Sequence, residues 1–399
     1  MTKIRAIAFY LPQFHPTPEN DEWWGKGFTE WTNVTKAKPR FPGHYQPHLP
    51  TDLGFYDLRL PEARDNQAEL AKDYGIHGFC YYHYWFNGRR ILERPFNDVL
   101  ASGKPDLPFC LCWANENWTR TWDGGEHHIL LQQNYSPEDD LAHIKSLFPA
   151  FKDERYIRID GKPLFLVYRT GLLPDPKRTA AIWRQAALDE GIGEIYLARV
   201  EPPAGDETSP EFIGFDASVE FAPNGRYPGI IPFNTGIYKF LAKLKLFPKA
   251  LTDRYLYDYN EIVKAMLKRS EPEFKRFRCV TPNWDNSARR EKGGLTYINS
   301  TPEKYGYWLN QVIAETDKKF VGDEKIVFIN AWNEWAEGNH LEPDRRWGHA
   351  YLEQTAKQLN GLATDAIDPT VIRSSPPFTR PLLFLKYYLD RYIGWRFKR

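Results

Sequence analysis

Two glutamates three residues apart, Glu334 and Glu337, stand in the stretch AWNEWAEGNHLEP at residues 331–343, where the apolar run IVFIN gives way to tryptophans and acids. Two carboxyls that share an aromatic pocket cannot ionise independently. One is pushed toward the protonated form while the other stays anionic, which supplies a general acid beside a base. Cleavage of a glycosidic bond needs that division of labour. In a regular strand, residues three apart face opposite sides, so the backbone must turn after Trp335 for both acids to enter one pocket, and Gly338 makes such a turn inexpensive. The plain alternatives are that one glutamate caps the following helix, or that the pair forms a surface ion pair with Arg345 or Arg346. Glu337 and His340 also have the Glu-x-x-His spacing of di-metal bundles. That architecture requires two such copies on long helices, and here a single copy contains Gly338. No metal site is expected.

The same mixture of polar and aromatic residues recurs wherever an apolar run ends. His15 follows the first run, with Trp31 in the loop beyond it. His83, Tyr84 and Trp85 close the second. Trp113, Asn115, Glu116, Trp118, Trp122 and Asp123 surround the third, and Glu201 and Glu220 follow the fifth and sixth. Trp284 and Asp285 follow the seventh, and Asn333, Trp335 and His340 flank the acid pair. Clusters of this kind, converging on one rim, would line a ligand site of apolar walls with a few polar groups. No GxSxG motif is present, and no Ser-His-Asp set can be picked out.

The elements that would bring these clusters together are short β-rich runs alternating with helix-like segments, the pattern of a parallel α/β fold. The runs are IRAIAFYLP, IHGFCYYHYW, LPFCLCWAN, KPLFLVYR, GEIYLARV, FDASVEFAP, KRFRCVTPNWD and KIVFINAWNEW. Eight parallel strands close a (β/α)8 (TIM) barrel, and catalytic groups then belong at the strands' C-terminal ends. A doubly wound open sheet would normally carry a Gly-rich phosphate turn after an early strand, and none is visible. Long loops follow several of the strands. Residues 224–259 look like a basic, aromatic insertion between strands six and seven. The expected division is a barrel over residues 1–360, followed by a linker and an amphipathic C-terminal helix over 361–399. The tail, rich in Lys and Arg, either docks on the barrel or lies on an anionic membrane surface.

Composition narrows the function classes. Lys+Arg 53 against Asp+Glu 52 leaves a formal charge of +1, so no global field recruits nucleic acid. Aromatic residues make up 16%, including 14 Trp, and many fall in polar loops, where flat faces with polar edges suit sugar rings. Cys80, Cys110, Cys112 and Cys279 all lie in apolar runs and read as reduced core thiols. The N-terminal apolar run is too short for a signal peptide, and no run of 18 apolar residues occurs. The expected compartment is the cytoplasm, with peripheral contact at the inner membrane if the tail lies on the bilayer instead of docking on the barrel.

NEWAEGNHLEP resembles the NEWHEG…EP signature of glycoside hydrolase family 99, the endo-α-mannosidases, which are (β/α)8 barrels. Together, FYLPQFHP, GFTEWTNV, HYWF, WANENWTRTWDG and AWNEWAEGNHLEP resemble the WbsX-type proteins of bacterial polysaccharide gene clusters, which carry a family-99-like domain. The resemblance implies a retaining mechanism on an α-linked surface polysaccharide of O-antigen or capsule type, with no cofactor. In it Glu334 takes the proton of the sugar 2-hydroxyl, that oxygen attacks its own anomeric carbon to give a 1,2-anhydro sugar, and Glu337 acts as general acid/base. Ala336 stands where the hydrolases usually have His. A glycosyltransferase using an activated donor is the alternative enzyme, with Arg89, Arg90, Arg289 and Arg290 as candidate phosphate ligands. A non-catalytic glycan-binding scaffold is the third reading.

Overall fold

Strands buried on both faces need continuous apolar sequence, and the chain supplies it eight times. The computed structural model describes residues 3–41, 43–120, 125–202, 208–222, 230–231, 236–245, 247, 249–290, 292–361 and 369–372. The barrel strands are β1 (Arg5–Tyr10), β2 (Gly78–Phe86), β3 (Phe109–Trp113), β4 (Lys162–Val167), β5 (Tyr196–Val200), β6 (Ala217–Val219), β7 (Arg276–Val280) and β8 (Ile326–Ile329). Each pairs in parallel with the next, and the cylinder closes where β1 meets both β8 and β2: Ile7 lies opposite Phe328 on one side and Gly78 on the other. A Cβ on Gly78 would stand 2.3 Å from the carbonyl oxygen of Pro108, so glycine there permits the close approach of β2 to β3. The architecture is the expected (β/α)8 barrel.

Eleven helices are described: α1 (Pro18–Trp24), α2 (Glu30–Lys36), α3 (Pro61–Asp73), α4 (Arg94–Ser102), α5 (Pro137–Phe151), α6 (Pro176–Asp189), α7 (Gly236–Lys243), α8 (Lys249–Thr252), α9 (Tyr259–Leu267), α10 (Pro302–Lys319) and α11 (Ala350–Leu359). Several start with an oxygen-bearing cap followed by proline, as at Ser136-Pro137, Asp175-Pro176 and Thr301-Pro302. The cap oxygen accepts an otherwise unpaired N–H, and proline has none to lose. The β5–β6 connection departs from the alternation, with a 3-10 turn, Pro210–Ile213, as its described helical element.

The barrel interior is filled by rings. Phe9 packs 5.5 Å from Phe328, 5.7 Å from Tyr82 and 5.8 Å from Phe221. The insertion between β6 and β7 contributes α7, α8 and a strand, Tyr255–Asp258, which pairs in parallel with Leu295–Ile298 beyond β7. This builds a small platform on the barrel rim. After α11 the chain returns at Pro369–Ile372, and Ile372 is buried in the main core. The amphipathic C-terminal helix expected beyond it lies outside the described residues. Among those described, no helix is long and apolar enough to cross a membrane.

Candidate active site

The acid pair sits on a tight hairpin that continues from β8. Asn333–Glu334 pairs with Asn339–His340 in antiparallel fashion, and Trp335–Glu337 forms a 3-10 turn at its tip. A 3-10 turn repeats every three residues, so side chains at i and i+3 eclipse. That places Glu334 and Glu337 on one side, where a strand would have separated them. Gly338 closes the turn at φ +57°, and a Cβ there would meet Asp285 Cβ at 3.0 Å. Conformation and packing both call for glycine.

Arg289 joins the two acids. Its Nη1 donates to Glu337 Oε1 at 2.6 Å and its Nη2 to Glu334 Oε2 at 3.2 Å. A third carboxylate, Glu30 in the first turn of α2, accepts from Nη2 at 3.0 Å and from Nε at 3.2 Å. One guanidinium thus faces three carboxyls in a buried setting. Burial is the main force raising the carboxyls of both Glu334 and Glu337; Arg289 opposes it, and the neighbouring acids reinforce it. Glu334 is pushed up to about 8. The Glu30 side chain is wholly covered, whereas those of Glu334 and Glu337 remain 9% and 19% exposed. A solute can therefore reach the pair but not the third acid. Neither glutamate pairs with Arg345 or Arg346 among the described contacts, and although Glu334 stands at the N-cap of the 3-10 turn, its side chain makes no capping hydrogen bond.

Asp285 anchors this assembly. Its N–H donates to the Glu337 carbonyl at 2.6 Å, and its Oδ1 accepts from the Ser287 N–H at the start of the turn that leads to Arg289. Its Oδ2 accepts from His44 Nε2 at 2.6 Å and from Gln46 Nε2 at 2.8 Å. Burial works against this carboxylate, but His44 and the hydrogen bonds prevail and hold it well below the usual range. Asn333 ties the hairpin to the end of β1 through both backbone groups of Leu11. Trp335 stacks on His340 at 3.7 Å, packs 5.5 Å from Trp31, and donates from Nε1 to Glu342. These residues position the acids from below.

The aromatic wall comes from β2 and the loop after β3. Tyr82 and Tyr84 both lie within the field of Glu334. Trp118 stands 5.1 Å from Tyr84 and 5.9 Å from Trp23. Tyr168, just past the end of β4, lies within the field of Glu337, with the Arg169 guanidinium 3.8 Å over its ring. Glu116 accepts from Arg169 Nε at 3.0 Å, and Asn115 links the ends of β3 and β4 through the backbone of Arg169.

Five of the expected ligand contacts lie elsewhere, for a common reason. Strand side chains alternate, so once Tyr82 and Tyr84 point inward, His83 and Trp85 point out. His83 Nε2 meets His143 Nε2 of α5 at 2.9 Å, and Trp85 donates to Asp139 of the same helix. Trp113 packs against His143 and Trp183, between barrel and helices. Glu201 and Glu220 also turn outward. Arg269 bridges them at 2.5 and 3.0 Å, and Arg278 binds Glu220 at 2.8 Å. These five are core, not rim. His15 is buried near Asp57, its imidazole lowered to about 4 chiefly by burial. Trp284 is half-buried at the edge of the main core, and Trp122 and Asp123 fall outside the described residues.

Glu30, Tyr82, Tyr168 and Glu342 escaped the sequence reading. Glu30 directly precedes Trp31, an expected ligand contact, and follows the helix cap Thr29. Arg289, a candidate phosphate ligand by sequence, has carboxylates as its described partners. For metals, His48, His340 and Asp344 bring ligand atoms within 4.8 Å of one another. Yet His48 Nδ1 and His340 Nε2 are hydrogen-bonded at 2.9 Å, and His340 Nδ1 reaches the Glu342 carbonyl at 2.9 Å. One N–H on each ring satisfies that chain, so a hydrogen-bonded histidine pair accounts for the cluster.

The comparisons with known proteins bear on the family and the fold. The family model described as "Glycosyltransferase WbsX" matches residues 6–355. Proteins named WxcX from two strains of Xanthomonas campestris pv. campestris, B100 and ATCC 33913, are 45% identical over 367 residues, 91% of this chain and 51% of theirs. The chain thus spans about half the length of these relatives. Among solved structures, a glycoside hydrolase-like protein aligns with a TM-score of 0.56 at 15% identity, covering 90% of this chain and 94% of that one. The GH99 endo-alpha-mannosidase of Bacteroides thetaiotaomicron aligns with a TM-score of 0.51 at 14% identity, covering 89% and 96%. At such identities the likeness is one of fold.

Proposed function

The chain belongs to the WbsX family, and from that membership, its glycosidase-type barrel and the Arg289 cluster we propose that it acts on α-glycosidic bonds of a bacterial surface polysaccharide as a retaining hydrolase or transglycosylase. The observation that carries the reading is the pair Glu334 and Glu337, side by side on one 3-10 turn and gripped by one guanidinium.

In this reading Glu334, the deeper of the two, takes the proton of the sugar 2-hydroxyl as that oxygen attacks the adjacent anomeric carbon. Glu337 gives its proton to the departing glycosidic oxygen, and a 1,2-anhydro sugar results. Water or a second sugar hydroxyl then opens the three-membered ring. Glu337 accepts the incoming proton, and Glu334 returns its own to the 2-oxygen. The attacking oxygen is already one atom from its target, so the step gains from proximity, and it needs no metal or organic cofactor. Trp118, Tyr84 and Tyr168 supply faces on which a pyranose can stack.

The test is to incubate the protein with surface polysaccharide from its source in heavy-oxygen water and to analyse products by mass spectrometry. Label at a new reducing end means hydrolysis, and chain exchange without label means transfer. Turnover of a nucleotide sugar, with the polysaccharide left intact, would replace the proposal with the donor-dependent transferase. Saturable glycan binding with no product, unaltered in the Glu334→Gln/Glu337→Gln double variant, would leave only a scaffold.

A further inference from the structure

The platform between β6 and β7 carries a surface that the catalytic reading does not use. Helix α7 carries apolar side chains on two sides. Tyr238, Leu241 and Ala242 pack onto Phe247, Leu251 and Leu256. On the other side Ile237 is 66% exposed, Phe240 60% and, one residue past the helix, Leu244 52%. These positions are i, i+3 and i+7, so they form one stripe. Around the stripe lie the exposed side chains of Lys239, Lys243, Lys245 and Lys249. Residues 236–252 contain these four lysines and no Asp, Glu or Arg, a local charge of +4 in a chain whose total is +1. Among the described residues none of the four lysines is in an ion pair.

We propose that this stripe is a docking surface for an anionic phospholipid membrane. Three large apolar side chains projecting from a lysine-rich helix can enter the boundary between headgroups and acyl chains while the ammonium groups stay at the phosphates. A second copy of this chain fits less well, because a two-fold contact would set the same four lysines against their equivalents. The surface is also a convex helix rather than a groove, and a fluid interface conforms to it without shape complementarity.

The platform is continuous with the candidate active site. Tyr255–Asp258 pairs with Leu295–Ile298, and Thr296 of that strand binds Asp285, the residue beside the turn that leads to Arg289. Docking through α7 would thus bring the barrel mouth next to the bilayer and present it to a glycan carried on a lipid. This substrate class rests on the function proposed above; the docking itself does not.

The test uses the full chain and vesicles of phosphatidylcholine with and without phosphatidylglycerol. The wild type should sediment with the phosphatidylglycerol vesicles and be released by salt. The triple variant Ile237→Ser/Phe240→Ser/Leu244→Ser should partition at least about tenfold more weakly, with an unchanged thermal midpoint because all three side chains are exposed. Lys239→Glu/Lys243→Glu should remove the preference for the anionic lipid. The proposal is overturned if the wild type binds neither vesicle, if the triple variant binds as well as the wild type, or if deleting residues 373–399 abolishes the difference between them. It is equally overturned if size-exclusion chromatography shows a dimer that the triple substitution dissociates. None of these readouts depends on turnover, so a failure here leaves the proposed reaction standing, and the reverse also holds.

Discussion

Arg289 Nη1 and Glu337 Oε1 meet at 2.6 Å, while the other terminal nitrogen of the same guanidinium bridges Glu334 and Glu30. This one cation sets the charge state of the barrel mouth. Burial, reinforced by the neighbouring acids, outweighs the attraction of Arg289 and raises both Glu334 and Glu337, so the pair that the substrate would meet retains one shared proton.

Lysine cannot substitute for this arginine. An ammonium is a compact point charge, whereas the guanidinium fork reaches three partners in fixed directions. Arg289→Lys should lower kcat by about 10²-fold or more, with a smaller change in KM. Steady-state kinetics on the glycan substrate would check this.

The pH dependence follows from one shared proton. Below the pair's lower ionisation both acids are protonated and no base exists. Above the upper one, both are anionic and no acid exists. The reactive form has Glu334 ionised and the shared proton on Glu337, so kcat/KM against pH should be bell-shaped, with its alkaline limb at the pair's upper ionisation, near the value of about 8 to which Glu334 is raised. The two limbs belong to the pair rather than to either residue.

Neutralising Glu334 should stabilise the fold while abolishing turnover. A carboxyl raised from 4.5 to about 8 favours the folded state at low pH, and this advantage is lost as pH climbs from its unfolded value toward 8. Glu334→Gln removes the loss. Its melting temperature should match the wild type near pH 4 and exceed it by about 2 °C or more above pH 8. Calorimetry at the two pH values would read both outcomes.

Two further substitutions separate wall from core. Trp118→Ala removes a half-buried ring beside Tyr84 and should raise KM about tenfold with little change in melting temperature. Glu220→Ala removes the buried carboxylate that Arg278 and Arg269 share, leaving them Glu315 and Glu201 as acidic partners, and should cost about 3 kcal/mol of stability, while KM for the remaining folded protein stays the same. Denaturant titration alongside kinetics distinguishes them.

The barrel could be read from the chain because its signal is local and repeated. Each strand is a short apolar run bounded by turn residues, and caps such as Ser136-Pro137 mark helix starts within two residues. The hairpin after β8 was half legible: the acids and Gly338 announced a turn, but not that a 3-10 turn would align them. The inward or outward direction of strand residues was not legible. His83 and Tyr84 are neighbours of equal polarity, and only the phase of the pleat assigns one to α5 and the other to the rim. Glu201 and Glu220 were misplaced for the same reason, since a buried glutamate facing arginines cannot be told from a ligand contact until Arg269 and Arg278 are located.

By itself the sequence determined the number of strands, their alternation with helices in most connections, and the presence of two acids at the end of the last strand, because periodicity, capping and turn chemistry act over a few residues. Only the tertiary structure decided which residues meet those acids. Glu30, Arg289 and Asp285 come from the loops after β1 and β7, 259 positions separating the first two, and no local rule specifies a contact made by closing a cylinder.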